Sequence, residues 1–447
     1  MAAPARVAAC DTLRRVRSGT ADLAAALERS RAGLADERDQ ALAAEITLGT
    51  LRWRAALDHA IAWAGNRAAD AFDADVLDIL RLSAYQLLHL DRVPASAAVS
   101  DAVTLARQQG HARAAGAVNA ILRRISRQRS QLPMPDASDA RGFLSVTWSH
   151  PAWLAQRWLD RYGFDAALAW VRFNNTAAPL TLRANTLATT RDTLAEQLER
   201  HGVRTRPCAY APDGLVVDSG RPFATAEWKE GRFLAQDEAS QLVGAFAAPM
   251  PGSCALDACA APGGKTVQLA AALGGGFLVA ADRRSRRLRL LRQTLRSAGV
   301  AQARLVCHDL LDALPFGPAF DCVLVDAPCS GLGTLRREPD IKWSRREHDL
   351  PALADRQGRM LDSASRGVRA GGVLVYATCS SEPEENDNVV DAFLDRHPGF
   401  TLEDPRATGA ALAAGVAACL DGRGCLRTLP HRHALEAFFA ARLRRRP

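Results

Sequence analysis

From about residue 250 onward, short apolar runs alternate with segments whose apolar residues recur at helical spacing. The runs that predict strands are 254–259, 277–281, 303–307, 320–325 and 372–377, and helices are expected after Thr266, up to Ala298 and around 350–368. Apolar strands separated by helices are typical of a parallel sheet that helices cover on both faces. Ligands of such sheets bind at the carboxyl ends of the strands. The sequence therefore predicts an α/β domain with one functional rim.

The chain of 447 residues is too long for one ordinary hydrophobic core, and its pattern changes twice before residue 250. The clearest helical segments are 39–53, 75–90, 97–109 and 118–125. A polar linker with two prolines at 128–140 precedes a mixed segment, with strands expected at 180–187, 214–218 and 232–235. We therefore predict three domains: an all-α bundle at 1–130, a small α/β domain at 141–245 and the larger α/β domain at 246–447.

The two leading domains have features of nucleic-acid binding, but their residues leave other interpretations open. The arginines at 123, 124, 127 and 129 form a basic end of the last predicted helix of the bundle. Such an end is about equally typical of an RNA contact and of a solvated helix face. The β-α-β order of the small domain resembles an RNA-recognition platform, and a connecting domain without its own ligand is at least as consistent with it.

A turn at 257–266, Asp-Ala-Cys-Ala-Ala-Pro-Gly-Gly-Lys-Thr, joins the first strand of the larger domain to its first helix. Its proline and glycines allow a sharp change of direction, and its N–H groups lie at the positive end of the following helix. A phosphate-binding loop of the G-x-x-x-x-G-K-[ST] type is excluded, because Cys259 stands where that pattern needs glycine. The turn is expected to bind another nucleotide-type ligand.

Acidic residues at the strand ends narrow the nature of this ligand. Asp282 follows Gly264 by 18 residues, a distance at which an acid accepts hydrogen bonds from a ribose diol. Asp309 could reach an adenine amino group, and Asp257 could face an ammonium group, although a surface aspartate often caps a helix instead. The pyrophosphate-binding pattern G-x-G-x-x-G is absent from the turn. S-adenosylmethionine is therefore the leading candidate ligand.

Two cysteines, Cys329 and Cys379, follow predicted strand ends and are expected to lie close together. A thiolate that adds to carbon 6 of cytosine makes carbon 5 nucleophilic enough to accept a methyl group. Asp326 is placed to balance charge near the ring nitrogen, and a base must then remove the proton from carbon 5. A buried cysteine is often structural, but two at strand ends beside a ligand turn favour chemistry. Their spacing does not tell which one is the nucleophile.

The charge balance favours a polyanionic partner, with 57 basic against 49 acidic residues and a formal net charge of +8. Lysine is rare, and only Lys229, Lys265 and Lys342 are present. In a chain whose other basic residues are arginines, a retained lysine is either chance or a sign that its position needs a compact charge.

The absence of a signal peptide or long apolar run predicts a cytoplasmic protein without a membrane partner. The ten cysteines are then better interpreted as buried, reactive or metal-binding than as disulfides.

Four motifs together resemble the RNA cytosine-5 methyltransferases. They are DACAAPGGKT, ADRR, DAPCSG with the downstream RREPDIKW, and YATCSSEPEEN. With the helical N-terminal domain and the terminal Phe-Phe-Ala-Ala-Arg-Leu at 438–443, nearly the whole chain is similar to the bacterial 16S ribosomal RNA cytosine-5 methyltransferases of the Sun or Fmu type. The resemblance implies a Rossmann-like catalytic domain, preceded by a bundle similar to the NusB antitermination factor and by the small RRM-like α/β domain.

The resemblance also implies roles for individual residues. Cys379 would be the nucleophile, Cys329 would assist product release, and Asp326 would lie beside both the reacting base and the methyl donor. The other residues implied to contact S-adenosylmethionine are Cys259, Ala260, Ala261, Pro262, Gly263, Gly264, Lys265, Asp282 and Asp309. Lys342 would fall near the substrate, and the substrate would be a cytosine of 16S rRNA, free or in an assembling small subunit. This chain departs from the family at Glu436-Ala437, where the family tends to have Asp-Gly.

Other functions stay open beside this one. A non-catalytic RNA-binding or antitermination scaffold would be expected to have lost the cysteine motifs, which are intact here. A tRNA substrate is compatible with the same chemistry, because only the resemblance favours rRNA. A zinc site formed by Cys419, Cys425, His431 and His433 is disfavoured because the spacing matches no standard zinc pattern. We predict no metal and no protein partner.

Overall fold

The computed structural model describes residues 1–408 and 412–447. Its contacts divide the chain into two compact units, one formed by Met1–Thr176 with Leu335–Ser344 and the other by Ala177–Thr334 with Arg345–Pro447. Residues 141–176 therefore pack with the leading helices, whereas the three-domain division stays a prediction. Within the described residues, no helix combines the length and the apolar character needed to cross a membrane.

The first unit is built from helices, most of which bury apolar side chains in a shared core. Its helices are α1 (Pro4–Arg17), α2 (Leu23–Ala32), α3 (Glu37–Arg52), α4 (Arg54–Gly65), α5 (Ala74–His89), α6 (Ala95–Gln108), α7 (Ala115–Arg127), α8 (Ala140–Gly142) and α9 (Ala152–Asn174). Aspartates cap several of them, as Asp73 does by accepting the N–H groups of Asp75 and Val76. The predicted helical bundle is confirmed, and the periodicity missed α1 and α4.

The basic end of α7 divides into two kinds of arginine. The guanidinium of Arg124 donates to the carbonyl oxygen of Ala64 at 3.2 Å and lies 4.4 Å from the centre of the Trp63 ring. Arg129 donates to the carbonyl oxygen of Leu88 at 2.7 Å. Arg124 and Arg129 thus bind carbonyl oxygens of other helices and stabilise the bundle. Arg129 is nevertheless exposed, as Arg123 and Arg127 are.

The second unit begins with a small antiparallel sheet in the order β2-β3-β1-β4. Its strands are β1 (Leu180–Ala184), β2 (Arg204–Pro207), β3 (Gly214–Ser219) and β4 (Phe233–Ala235), and the helices are α10 (Arg191–Arg200), α11 (Ala226–Lys229) and α12 (Glu238–Ala247). Leu194 and Leu198 of α10 pack against Leu182, Leu215 and Phe233 in the core of this sheet. The predicted small α/β arrangement is therefore present.

A larger sheet follows, with the strand order β10-β12-β9-β8-β5-β6-β7. Its strands are β5 (Cys254–Asp257), β6 (Phe277–Asp282), β7 (Ala303–Cys307), β8 (Phe320–Asp326), β9 (Val368–Thr378), β10 (Phe400–Glu403), β11 (Leu426–Arg427), which pairs with β12, and β12 (Phe439–Arg445). Its helices are α13 (Gly264–Leu273), α14 (Ser285–Ser297), α16 (Leu350–Ser365), α17 (Asp387–Arg396), α18 (Ala414–Ala417) and α19 (Pro430–His433); α15 (Ile341–Ser344) belongs to the first unit.

The strands from β5 to β9 are parallel, as the alternation of strands and helices predicted. The chain runs from β5 to β6 and β7 on one side and then returns to β8 on the other. The direction of connection therefore reverses between β5 and β8, and this is where an open α/β sheet forms its binding crevice.

The sheet is not parallel throughout. β12 pairs antiparallel with β9, with Phe439 opposite Thr378, and β10 pairs antiparallel with β12. The buried Arg442 of β12 forms an ion pair with Glu403 of β10 at 2.9 Å. The all-parallel expectation was therefore incomplete, because the apolar period of a strand does not reveal the direction in which it pairs.

Candidate active site

The turn after β5 is fixed by backbone hydrogen bonds to both neighbouring strands. The N–H of Ala258 donates to the carbonyl oxygen of Leu324 at 2.9 Å, and the N–H of Ala260 donates to that of Ala281 at 2.9 Å. Gly263 has a φ of 114°, which favours glycine, and a Cβ there would lie 2.9 Å from a methyl carbon of Leu291. The turn is therefore held between β8 and β6 and begins α13 with its N–H groups facing the crevice end.

Asp282, at the end of β6, holds the same turn from the other side. It is 4% exposed, and its Oδ2 accepts the N–H of Ala261 at 3.3 Å while its Oδ1 accepts the N–H of Arg284 at 3.2 Å. The guanidinium of Arg287 lies 3.7 Å from Asp282 and also donates to the carbonyl oxygen of Ala261. A carboxylate thus stands beside the turn where the spacing placed it.

Asp257, at the end of β5, is a buried carboxyl group with one unused oxygen. Its Oδ2 accepts the hydroxyl of Thr266 at 2.7 Å, whereas its Oδ1 has no hydrogen-bond partner among the residues the structure describes. Burial raises the pKa of Asp257 to about 7. Burial, together with the charges of Asp257 and Asp326, raises the pKa of the Cys259 thiol well above its usual value. Cys259 therefore stays a thiol at neutral pH.

Asp309 follows β7 and is more exposed than the other acids of the rim. Its Oδ1 accepts the N–H of Leu311 at 3.1 Å, and its Oδ2 lies 3.9 Å from the guanidinium of Arg283. Its side chain is 36% exposed, so it can accept a further hydrogen bond from a ligand.

Lys265 places a positive charge at the end of β8. Its ammonium donates to Asp326 at 2.7 Å and to the hydroxyl of Ser240 on α12 at 3.0 Å. The same ammonium lies 5.9 Å from the centre of the Phe438 ring. The ammonium of Lys265 thus lies among three different segments of the chain. That a compact charge is needed there stays a prediction.

The two cysteines lie side by side after adjacent parallel strands. The Sγ atoms of Cys329 and Cys379 are 3.2 Å apart, close enough for one thiol to donate to the other sulfur. The N–H of Ala327 donates to the carbonyl oxygen of Ala377 at 2.8 Å, and the N–H of Gly333 donates to that of Cys379 at 2.9 Å. Both cysteines are half-buried, so the sulfurs can reach a ligand at the rim.

The fully buried Glu385 connects the loop that contains Cys329 with the loop that contains Cys379. Its Oε1 accepts the backbone N–H of Ser330 at 2.8 Å and the side-chain amide of Gln357 at 2.9 Å. Its Oε2 accepts the hydroxyls of both Ser330 and Ser380, the residues that follow Cys329 and Cys379. One carboxylate therefore fixes the position of both thiols.

Sequence analysis did not single out Glu385, Ser330, Ser380 or Gln357 as functional. A signal was present, since each cysteine is followed by a serine and the motif YATCSSEPEEN has two consecutive glutamates before its final asparagine. The pattern cannot tell which glutamate turns inward, because Glu384 and Glu385 occupy consecutive positions and only Glu385 is 0% exposed.

Lys342 does not have the ligand-facing position expected of it. It is 1% exposed, and its ammonium donates to the carbonyl oxygens of Arg52 and Ser149, each at 3.2 Å, and to Oδ1 of Asn175 at 2.7 Å. All three acceptors belong to the first unit. The expectation was wrong because a lysine can be retained for buried hydrogen bonds as well as for a ligand.

The disfavoured zinc site is not assembled in the part of the chain that the structure describes. Cys419, Cys425, His431 and His433 form no cluster of metal-ligating atoms there, and Nδ1 of His433 accepts the N–H of Leu429 at 2.9 Å. Among the described residues, a metal-type cluster occurs only at Asp73, Asp75 and His111, which are exposed to partly exposed.

The residues of the rim fit S-adenosylmethionine. The unpartnered Oδ1 of Asp257 suits an ammonium group, and the carboxylates of Asp282 and Asp309 stand at successive strand ends, where a ribose diol and an adenine amino group would be met. The turn leads into a helix, and it lacks the G-x-G-x-x-G pattern with which a dinucleotide's pyrophosphate is bound. This fold and this rim define a methyltransferase that depends on S-adenosylmethionine.

Comparison with known proteins gives the family. The model of the 16S rRNA methyltransferase RsmB/F family matches residues 245–444, that of the NusB family residues 3–127, and that of the ferredoxin-like domain of RsmF/B-like methyltransferases residues 150–224. The chain belongs to the RsmB/F methyltransferase family.

Two relatives show that the similarity spans nearly the full chain. The probable ribosomal RNA small subunit methyltransferase B of Bacillus subtilis is 34% identical over 418 residues, which cover 92% of this chain and 91% of the relative. The ribosomal RNA small subunit methyltransferase B of Pseudomonas putida is 37% identical over 398 residues, covering 88% and 89%.

Solved structures show the same fold. The crystal structure of PH0851 has a TM-score of 0.81 at 24% identity and covers 99% of each chain. A methyltransferase homolog protein from Pyrococcus horikoshii has a TM-score of 0.56 at 28% identity, covering 67% of this chain and 96% of its own.

Proposed function

We propose that this protein methylates carbon 5 of a cytosine in 16S rRNA, at a C967-type site, through a covalent cysteine–cytosine adduct. The observation that carries the proposal is the pair of sulfurs 3.2 Å apart at the ends of β8 and β9. Methyl transfer to a nitrogen or oxygen needs no thiol, whereas methyl transfer to carbon 5 of cytosine needs a nucleophile that adds to carbon 6. Two half-buried thiols beside the methyl-donor rim therefore favour this reaction over the others.

In this mechanism the thiolate of Cys379 forms a bond to carbon 6 of cytosine, and the electron pair of the ring double bond moves toward carbon 5. As this bond forms, the pair of Lys265 and Asp326 supplies a proton through Asp326 to nitrogen 3 of the ring, which neutralises the charge that develops there, and the pair takes the proton back when the adduct breaks down. When bound, S-adenosylmethionine supplies the methyl group that carbon 5 accepts. The thiolate of Cys329 then removes the proton from carbon 5. The electron pair of that C–H bond re-forms the ring double bond as the bond between carbon 6 and sulfur breaks, and Cys379 leaves as a thiolate.

Both cysteines are half-buried, so burial does not distinguish the nucleophile from the base. Cys379 is assigned as nucleophile by family resemblance, and its sulfur lies within reach of a second thiol that can accept or donate a proton. The buried Glu385 holds both loops, so the thiols stay aligned as the bonds change. For the methyl donor, we assign the turn 259–265 together with Asp282 and Asp309.

The first unit offers a surface for the RNA. A groove of about 440 Å³ between α6 and α7 is lined by Arg107, Arg123 and Arg127, together with hydroxyl side chains and no carboxylate. None of these three arginines forms an ion pair within the described parts of the chain. Phosphate groups of RNA would supply the missing negative charge. We assign RNA binding to the NusB-like and small α/β domains, and place the reaction in the cytoplasm.

Bisulfite sequencing of 16S rRNA from a strain that lacks the gene tests the proposal. The expected result is the loss of one 5-methylcytosine, restored by the intact gene and not by a Cys379→Ala gene. A small-subunit rRNA unchanged by the deletion would rule out this substrate. If the missing 5-methylcytosine is found in tRNA instead, the chemistry stands and the substrate assignment is wrong.

A further inference from the structure

Helix α14 and the strand that follows it hold an unusual concentration of positive charge. Residues 283–304 contain eight arginines and no aspartate or glutamate. The arginines are Arg283, Arg284, Arg286, Arg287, Arg289, Arg292, Arg296 and Arg304. Without them the chain would have 49 basic and 49 acidic residues, so this segment alone accounts for the formal net charge of +8.

Most of this charge is not neutralised within the protein. Arg283 lies 3.9 Å from Asp309, and Arg287 lies 3.7 Å from Asp282. The other six arginines form no ion pair with any residue that the structure describes, and all six are exposed. An unpaired cluster of like charges destabilises a folded domain by mutual repulsion, so an anionic partner would relieve it.

The helix geometry aligns part of this charge into one row. At 100° per residue, Arg289, Arg292 and Arg296 lie on one side of α14, whereas Leu288, Leu291 and Leu295 are buried on the side that packs on the sheet. With a rise of about 1.5 Å per residue, Arg292 and Arg296 are about 6 Å apart along the axis, comparable with the distance between successive phosphates of RNA.

The row ends in a groove at the edge of the large sheet. This groove of about 560 Å³ is lined by Arg292, Arg296 and Arg304, with Leu295, Val300 and Leu305 as its apolar part. β7 is the edge strand here, since it pairs with β6 on one side only. A groove with guanidinium groups on both walls suits a flexible phosphodiester chain that lies along it.

We propose that α14 and the groove beside β7 bind the phosphate backbone of the RNA substrate, as an electrostatic anchor in the catalytic domain. The proposal rests on the RNA substrate of the proposed function and adds a second surface to the groove of the first unit. An acidic protein segment is the competing occupant. RNA is favoured because Arg292 and Arg296 are about 6 Å apart along α14, close to the distance between successive phosphates, and Arg304 adds a third guanidinium group to the same groove.

The test compares two variants of the full chain that each lose three positive charges. The first is Arg292→Gln/Arg296→Gln/Arg304→Gln. The matched control is Arg359→Gln/Arg396→Gln/Arg406→Gln, in which Arg396 and Arg406 pair with Asp362 and Asp404, and Arg359 lines a groove that carries acidic residues. Both are made in a Cys379→Ala background, so that no covalent adduct contributes to binding, and their thermal unfolding is compared to confirm folding.

Filter binding of in vitro transcribed 16S rRNA is measured between about 50 and about 200 mM salt. The first variant is expected to lose on the order of tenfold or more in affinity, and its slope of log affinity against log salt should decrease in magnitude by about 2, because each lost phosphate contact contributes about 0.7 to 0.9. The control should lose less than about threefold.

Equal affinities and equal salt slopes in the two variants would overturn the anchor. Loss of binding to polyglutamate by the first variant, with its RNA affinity unchanged, would assign the surface to an acidic protein and equally overturn it. Methylation of 16S rRNA by the unmodified protein is measured in parallel. If that activity is absent while the binding difference is present, the proposed function fails and the anchor stands.

Discussion

The sulfur atoms of Cys329 and Cys379 lie 3.2 Å apart, although 50 residues separate them in the chain. The two thiols follow neighbouring parallel strands, and the backbone bond from Ala327 to Ala377 fixes these strands at their carboxyl ends. Because the sulfurs are this close, a cytosine ring that reaches one of them also reaches the other. The positions of the two cysteines therefore do not tell which one is the nucleophile, and only their reactions can distinguish them.

Replacement of each cysteine is expected to give opposite results for the covalent adduct. Cys379→Ala should reduce methylation by about a thousandfold or more and abolish covalent capture of RNA, because no thiolate remains to add to carbon 6. Cys329→Ala should let a protein–RNA adduct accumulate, because the proton on carbon 5 is not removed. Denaturing gels of the protein with radiolabelled RNA measure both. An adduct in the first variant and none in the second would reverse the assignment.

Glu385→Gln is expected to reduce kcat by about 10- to 100-fold, because an amide group cannot accept all the donors that now converge on the carboxylate and the thiols would lose alignment. The KM for S-adenosylmethionine should change by less than about twofold, since Glu385 contacts only the cysteine loops and their supports. Steady-state methylation rates at varied S-adenosylmethionine concentration give kcat and KM separately.

Glu384→Gln is the matched control, because it removes the same charge one residue earlier at a less buried position. It should retain kcat within about threefold. Equal losses in the two variants would show that Glu385 acts through net charge alone and would contradict a positioning role.

The affinity for S-adenosylmethionine is expected to rise with pH up to about 7. Burial raises the pKa of Asp257 to about 7, so in the free protein its ionised form is lost as pH falls below that value. The ionised form attracts an ammonium group, so affinity should rise by about tenfold between about pH 5.5 and about pH 7. Isothermal titration calorimetry at several pH values measures it.

The same raised pKa has a consequence for stability. The stabilisation from the neutral carboxyl of Asp257 is fully present below the pKa near 4 that this group has in the unfolded chain, and it is lost as pH rises toward about 7.

Asp257→Asn should flatten the pH dependence of the affinity for S-adenosylmethionine, whereas Asp309→Asn should lower that affinity and keep its pH dependence. An Asp257→Asn protein with the unmodified pH profile would exclude Asp257 as the contact of the ammonium group.

Lys342→Ala is expected to destabilise the first unit by about 2 to 4 kcal/mol, because it leaves a cavity and three buried acceptors without a donor. Lys229→Ala, at an exposed position, is the control and should change the unfolding midpoint little. Thermal unfolding and binding of 16S rRNA are both measured. A Lys342→Ala protein with normal stability and weakened RNA affinity would return Lys342 to the substrate site.

The sequence by itself determined the parallel part of the large sheet, the helical nature of the first 130 residues and the polar residues at the strand ends. Apolar periodicity predicts these features because burial acts on each element locally, and parallel strands bring their carboxyl ends to one edge. Periodicity predicted that Asp282, Asp309, Asp326, Cys329 and Cys379 lie at or just after strand ends, and the structure places them there.

Only the tertiary structure decided which side chains meet. The antiparallel pairing of β12, the buried position of Lys342 and the inward turn of Glu385 depend on contacts between residues far apart in the chain. The charge of Lys265 and that of Lys342 are identical in the sequence, yet one faces a carboxylate at the rim and the other faces three buried oxygens. The sequence gives the chemistry of each side chain, whereas the contacts that it makes depend on how distant segments of the chain pack together.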